Sequence, residues 1–400
     1  MSSQTVKLSE GTSVQVGGVS EIVGEQLDEG AEGEIYSIKN DSSSVIKIFY
    51  KSERTTKAKK VRAMIQETPD DPADDFHSIV WPQAIVEKSG EFFGYKMPRL
   101  DLSEWTKALV YAMKVSSNNS LKRKLRPAYN LAYMVYEIHN QGHALGDFNH
   151  ENIFVKDGYI SLIDCDGFHI KANDTVYEGD TFKKRYSPPE KRPPKLEEVK
   201  IADRFCLGVH IFQLLMDGYH PYYAKGPNAE GGDWGVKIAQ NSFPYSDSAA
   251  GFDPPEPGLQ QKYNNLPQEI QNLFLDCFSE SSTRFGWARP SAAEWVRKLG
   301  RTAELDVPES ELPSDNETGK GKGGKEDDDE LSERAQGIFG DAGKNATDVD
   351  DTTGSTTPDD DKKEGLKEQA QSIFEDAQST STDTDETTGT ATTTDEDTDG

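Results

Sequence analysis

Cysteine is scarce in this chain: Cys165, Cys206 and Cys277 are the three among 400 residues, widely spaced and without a Cys-x-x-Cys pair. An odd, scattered set excludes a disulfide framework and a zinc site, and reads as reduced thiols. Long apolar runs are missing as well. The stretch Gly208 to Met216 falls far short of the ~18 residues that mark a membrane span, and Met1-Ser-Ser-Gln-Thr-Val-Lys7 has no apolar signal core. The expectation is a cytoplasmic protein that meets no membrane. Basic charge is also lacking. Of the formal −27, residues 301–400 supply −21, with 30 Asp and Glu against 9 Lys and Arg, which leaves −6 for residues 1–300. The acidity therefore belongs to a tail, and nothing suggests a nucleic-acid partner. His143, His150, His169, His210 and His220 have no metal-cluster spacing and read as packing or loop residues.

What is present changes character along the chain. Residues 1–20 are polar, with one weakly alternating stretch able to add a short strand. Residues 21–101 read as a small strand-rich lobe, with strands over Glu34–Lys39, Ser44–Tyr50, Ser78–Val86 and Phe92–Leu100. One helix, Thr55–Gln66, stands among them and ends before a Pro-Asp-Asp-Pro loop. Over 102–301 the apolar spacing becomes helical: Leu131, Met134, Val135 and Ile138 recur at the 3.6 period, as do Phe205, Val209, Phe212 and Leu215. Residues 224–265 are rich in Gly, Pro and Asp and read as a long surface excursion. The last ordered helix is expected at Ser291–Leu299. The predicted class is α+β: a small antiparallel-sheet lobe, a larger helical lobe, and the chemistry at their junction.

Residues 302–400 form an acidic, Thr-rich tail whose composition gives little to bury, and beyond about 305 it reads as disordered. It holds a repeat: Leu331, Ala335, Gln336, Ile338 and Phe339 recur as Leu366, Ala370, Gln371, Ile373 and Phe374, a period of 35. In each copy (331–339 and 366–374) the apolar residues mark one face of a short helix. Two readings stand, a solubilising tail with transient helices, or a pair of elements docking a partner or the chain's own folded part.

Four segments carry chemistry. Leu27-Asp-Glu-Gly-Ala-Glu-Gly-Glu-Ile-Tyr36 is a glycine turn between strands, where Gly30 and Gly33 allow close backbone approach to phosphate. Ser44-Val-Ile-Lys-Ile-Phe-Tyr50 is an apolar strand with one cation, Lys47, eleven residues after Tyr36; alternation puts Val45 on its face. Gly142-His-Ala-Leu-Gly-Asp-Phe-Asn-His-Glu-Asn-Ile-Phe-Val155 is followed by Ile160-Ser-Leu-Ile-Asp-Cys-Asp-Gly167, giving Asp147, Asn152 five positions on, and Asp164 twelve beyond that. An acid to take a hydroxyl proton, with an amide and a second acid to hold Mg²⁺ against ATP phosphates, describes a phosphoryl-transfer site. The fourth runs from Asp203 to Tyr222, with Pro188-Pro189-Glu190 before it and Arg289-Pro290-Ser291-Ala292 far downstream.

In this order and spacing, residues 21–301 resemble the eukaryotic-like protein kinase superfamily. Trp81-Pro82, Gly94-Tyr-Lys-Met-Pro-Arg99 and Ile163-Asp-Cys-Asp166 resemble a prokaryotic branch often encoded beside von Willebrand factor A and metal-dependent phosphatase proteins, which implies partners of those kinds. The resemblance implies a two-lobed kinase-like fold and an ATP- and Mg²⁺-dependent serine/threonine kinase. It implies Asp147 as base, Lys47 on the α/β-phosphates, Gly30 and Gly33 over the phosphates, and Asn152 and Asp164 on the metal. Ile35 and Val45 would pack above adenine and Phe154 beneath it, Met97 at the back, with Pro98 to Leu100 as hinge. Asp203 would brace the catalytic loop and Glu190 would pair with Arg289.

The departures are equally specific. Leu145-Gly146-Asp147 replaces His-Arg-Asp, which removes the cation that a phosphorylated activation segment would meet. Asn149 stands where a lysine is usual, and Asp164-Cys165-Asp166 replaces Asp-Phe-Gly. The helix over 55–66 contains no acid to meet Lys47: Lys59 and Lys60 lie where one belongs, and Glu67 serves only if the helix runs longer. The alternatives are a pseudokinase that binds nucleotide as a scaffold, or a kinase-fold transferase of nucleotidyl groups or of phosphate to a small molecule.

Overall fold

In the computed structural model, residues 8–69, 71, 76–115, 121–179, 183–189, 195–229, 231–247, 249–279 and 286–314 are described. All of them fall within one unit, Met1–Asp348. Glu190 and both tail repeats lie outside the described residues.

Six strands close into a barrel: β1 (Ser13–Val16), β2 (Val19–Glu29), β3 (Gly33–Ile38), β4 (Asp41–Phe49), β5 (Ala84–Lys88) and β6 (Glu91–Pro98), in the order β1-β2-β3-β4-β6-β5. All neighbours are antiparallel, and β1 shuts the barrel by pairing with β5, Gln15 facing Glu87 and Val16 facing Val86. The weakly alternating N-terminal stretch thus supplies the closing strand, which removes both sheet edges. Alternate residues fill the interior, among them Val14, Val16, Val23, Tyr36, Ile38, Ile46, Ile48, Val86 and Phe93. β5 is shorter than the strand expected over Ser78–Val86, because Ser78 to Val80 leave the barrel: Val80 N–H donates to the Leu162 carbonyl at 2.9 Å and Leu162 N–H to the Ser78 carbonyl at 2.8 Å.

Helix α1 (Arg54–Gln66) packs outside the barrel through Val61 and Met64. It ends at Gln66, with the Glu67 N–H donating to the Ala63 and Met64 carbonyls at 3.0 and 3.2 Å. After β7 (Thr106–Lys107) and α2 (Ala108–Lys114) comes α3 (Leu121–Asn140), whose Leu131, Met134, Val135 and Ile138 are all buried. β8 (Ile153–Lys156) lies between β7 and β9 (Tyr159–Leu162), antiparallel to both, and a small hairpin, β10 (Ile170–Ala172) and β11 (Thr175–Tyr177), follows. Helix α4 (Leu196–Leu215) is buried almost all round from Ala202 onward, as a helix crossing the centre of a core must be.

The excursion expected over 224–265 is instead packed structure. It contains α5 (Trp234–Ala239), capped by the Asp233 carboxylate accepting from Val236 N–H at 3.1 Å, and α6 (Pro257–Asn264). Trp234, Phe243, Leu259 and Tyr263 are buried in the main core, so aromatic anchors override the turn-rich composition. Helices α7 (Gln268–Phe278) and α8 (Ala292–Gly300) complete it. The expected start at Ser291 is the α8 cap, where Ser291 and Glu294 form a reciprocal capping box. Packing also continues past 305. Leu312 is buried against the main core, Arg301 pairs with Glu309, and Arg297 donates to the Ser314 carbonyl at 2.9 Å.

Candidate active site

The face of β4 that turns away from the barrel interior carries Val45, Lys47 and Phe49. Register sets its neighbours: Ile35 lies opposite Lys47 on β3, Tyr95 opposite Lys47 on β6, and Met97 opposite Val45. Ile35, Val45, Lys47 and Met97 therefore share one surface. Two glycines let the flanking strands approach β4 there. A Cβ on Gly94 would stand 1.8 Å from the Lys47 carbonyl, and one on Gly33 would stand 2.2 Å from that of Ile48. Gly33 is thus required by strand packing before any ligand is considered, whereas a Cβ on Gly30 would meet only the Gly33 carbonyl oxygen, at an ordinary contact distance of 3.9 Å.

Lys47 is buried, and a buried ammonium needs carboxylates. It finds Asp164 at 2.6 Å and Asp166 at 2.8 and 3.1 Å, with Glu32 at 3.9 Å. Burial alone would lower the Lys47 pKa, but Asp166 and Asp164 outweigh it and hold the ammonium above its ordinary value. Asp166 is fully buried and also accepts a 2.6 Å hydrogen bond from the Tyr95 hydroxyl. Burial pushes its carboxyl upward, yet Lys47 and Lys57 prevail and keep it below the usual carboxylate range. Asp164 moves the other way, raised by desolvation and by the like charge of Asp166 against the pull of Lys47.

No helix acid meets Lys47. α1 buries two lysines, Lys57 and Lys60, and the Lys57 Nζ lies 2.6 Å from Glu32 Oε1 and 3.8 Å from Asp166 Oδ2. Glu67 caps α1, so the alternative of a longer helix fails, and Lys59 is exposed. Sequence reading missed Asp166, Lys57, Glu32 and Tyr95 as members of this network. A signal existed for Asp166: a lysine in an apolar strand demands a counter-charge, and the acid-free helix left Asp166 as an unassigned carboxylate close to Asp164.

The segment after α3 is fixed from α4. Asp203, fully buried, accepts from the Leu145 and Gly146 N–H groups at 2.8 and 3.1 Å and lies 3.0 Å from His139 Nε2. Asp147 follows directly and is partly buried. The Asn152 side-chain amide donates to the Asp147 carbonyl at 3.4 Å, and the Asn152 carbonyl accepts from Ile163 N–H at 3.0 Å. Asn152 is thereby joined on one side to Asp147 and on the other to the residue preceding Asp164. At Asp164 the backbone is left-handed, φ 58°, which aspartate tolerates better than most residues. The single turn Cys165–Gly167 that follows points Asp166 inward, while the Asp164 side chain stays 46 % exposed.

Other expected residues fall as follows. β6 ends at Pro98, and Arg99 N–H donates to the Ser43 carbonyl at 2.8 Å, leading the chain through Leu100 toward β7. Phe154 is buried on β8, between Lys107 and Ser161 in register. Asn149 is buried, with its side-chain oxygen accepting from Glu151 N–H at 2.9 Å, so it is consumed in shaping its own loop. A lysine does reach that loop, since Lys183 pairs with Glu151. Arg289 is buried over the Phe205 ring. Among the described residues, no three His, Cys, Asp or Glu side chains gather as a metal cluster, and no helix is long and apolar enough to cross a membrane.

The oxygen donors at Asn152 and Asp164 suit a hard cation such as Mg²⁺, which takes few protein ligands and completes its shell with water and phosphate oxygens.

No protein-family model matches the chain. Among curated proteins it is similar to "Protein kinase YegI" of Escherichia coli (strain K12), 27 % identical over 290 residues, which cover 69 % of this chain and 44 % of that protein. The protein of the same name from Escherichia coli O157:H7 is 28 % identical over 289 residues, with the same coverage of each. The chain spans less than half the length of these relatives. Over about two thirds of its own length, it is related to proteins named as protein kinases.

Proposed function

We propose that this chain is an ATP- and Mg²⁺-dependent protein kinase with a two-lobed kinase-like fold, transferring the γ-phosphate of ATP to serine or threonine hydroxyls. The observation that carries the reading is the junction of Lys47 with Asp164 at 2.6 Å, across 117 positions of sequence. The kinase names of the relatives support the class of reaction.

In this reading, Asp147 is the base that accepts the substrate hydroxyl's proton, and Asp203 holds the backbone that presents it. Lys47 binds the α/β-phosphates, with Asp166, itself held by the Tyr95 hydroxyl, fixing its ammonium from behind. Asn152 and Asp164 hold Mg²⁺, which when bound neutralises charge on the phosphates. Gly30 leaves room for phosphate under the β2–β3 turn; Ile35, Val45 and Met97 offer an apolar face to adenine, with Phe154 opposite and Pro98 to Leu100 as its polar edge. Partners of von Willebrand factor A or phosphatase type, and docking through the tail repeats, belong to the same proposal.

One observation favours the pseudokinase alternative: Lys47 is closed between two carboxylates, one of them the expected metal ligand. Labelling separates the two. With Mg²⁺ and γ-labelled ATP, the full chain is expected to label itself or a generic protein substrate, and Asp147→Asn to abolish this. A thermal shift with MgATP but no transfer would establish the scaffold instead, and label arriving only from α-labelled ATP would establish nucleotidyl transfer.

A further inference from the structure

We propose that Lys57 is a second phosphate-binding cation of the nucleotide site, and that Glu32 on the glycine turn is its exchangeable counter-ion, displaced by the incoming polyphosphate. The inference rests on the nucleotide reading of the site.

Five charged groups meet here. Lys47 and Lys57 are the cations, and Glu32, Asp164 and Asp166 the carboxylates. The two ammonium groups are neighbours: both approach the Phe49 ring, 5.5 and 5.9 Å from its centroid, and both reach Asp166 and Glu32. With three acids against two bases the cluster carries a net −1. A nucleotide polyphosphate is itself strongly anionic, so it enters only if carboxylate charge is neutralised or removed.

The three carboxylates differ in how they are held. Asp166 is fully buried and tied to Lys47 and Tyr95, so it stays. Asp164 is the residue that a divalent cation neutralises. Glu32 remains. Its side chain is 28 % exposed and sits on the turn between β2 and β3, where the strand register is interrupted twice before the turn. The Glu32 carbonyl accepts from Tyr50 N–H at 2.8 Å, so it is the part-exposed side chain, turning toward solvent, that shifts. When it does, Lys57, about nine-tenths buried and anchored on α1, exposes its ammonium beside that of Lys47. Helix α1 then contributes a cation to the phosphate site where an acid was expected.

The test measures MgADP and adenosine affinity by calorimetry on the full chain and three variants. Lys57→Met is expected to weaken MgADP binding about tenfold, the loss of one charge-assisted contact, and Glu32→Gln to tighten it several-fold. Lys57→Arg should stay near wild type. Adenosine, which lacks phosphate, should bind all four proteins alike. Glu32→Gln that weakens or leaves unchanged the affinity for MgADP would overturn the assignment, since a purely structural Glu32–Lys57 latch predicts that sign. Should Lys57→Met fail to fold, the direction of the Glu32→Gln effect decides. Wild-type protein that binds neither ligand would instead overturn the nucleotide reading itself.

Discussion

Asp166 occupies the least replaceable position among the charged residues. Its carboxylate is out of water, and it accepts from the Lys47 ammonium and the Tyr95 phenol and lies 3.8 Å from the Lys57 ammonium. Removing one partner of a buried ion pair leaves the other uncompensated, at a cost of roughly 3–5 kcal/mol. Asp166→Asn is therefore expected to lower the unfolding free energy by about that much, measured by urea denaturation. On the proposed kinase reading it should also reduce kcat/KM about a hundredfold while leaving some activity, because Lys47 keeps Asp164 but loses its rear support. Asp166→Asn with full activity would show that Lys47 needs no anchor. At this scale the sequence was only partly legible. Lys47 stands out because one lysine interrupts an apolar strand, and the structure joins it to Asp164, which its spacing from Asn152 had singled out. Glu32 and Lys57 left no such signal, since they come from separate elements and pairing across a fold leaves no periodic trace, whereas Asp166 stood beside Asp164 as an unassigned carboxylate.

The elements themselves followed their local patterns where those patterns were strong. Residues at the helical period in α3 and α4 are buried where spacing placed them, and Ser291 with Glu294 announced the start of α8. Two stretches of weak pattern were misjudged. The 224–265 region holds two short helices pinned by aromatic residues, and the chain beyond 305 continues to pack. A Cβ on Gly300 would come within 2.7 Å of Leu312 Cδ2 and 3.1 Å of a Tyr129 ring carbon, so this last segment closes over the α3–α8 contact. Composition alone hid it, because one leucine among acids and serines looks like tail. Leu312→Ala should therefore cost about 2–4 kcal/mol of stability, the usual price of emptying a buried leucine site. Truncation after residue 304 should give a lower melting temperature than truncation after residue 314. Equal melting temperatures for the two truncations would show that Leu312 contributes nothing to the core.

Across the whole molecule, the imidazoles set how stability responds to acid. His143 accepts a hydrogen bond from Lys171 N–H on Nδ1 at 3.2 Å and stacks on Trp81, so its neutral form is the one that fits. Burial, with Lys200 adding and the Glu67 backbone opposing, lowers its pKa to about 4. His210, packed on Tyr186 and Phe148, is likewise pushed down to about 4 by burial, against the Phe148 carbonyl and with help from Arg185. An unfolded histidine titrates near 6.5. Between roughly pH 6.5 and 4 the unfolded chain thus binds protons that the folded chain refuses, and stability falls as pH falls through that window. Each such proton contributes about 1.4 kcal/mol per pH unit. The depressed carboxylates Asp41 and Asp166 act in the same direction, but only below that window. Denaturant midpoints should accordingly decline from pH 7 to pH 5, before most carboxylates begin to protonate. His210→Gln, tested at both pH values, should be less stable at pH 7 yet show a slope shallower by about one proton. An unchanged slope would mean that His210 is not held neutral, and that the acid response arises elsewhere in the fold.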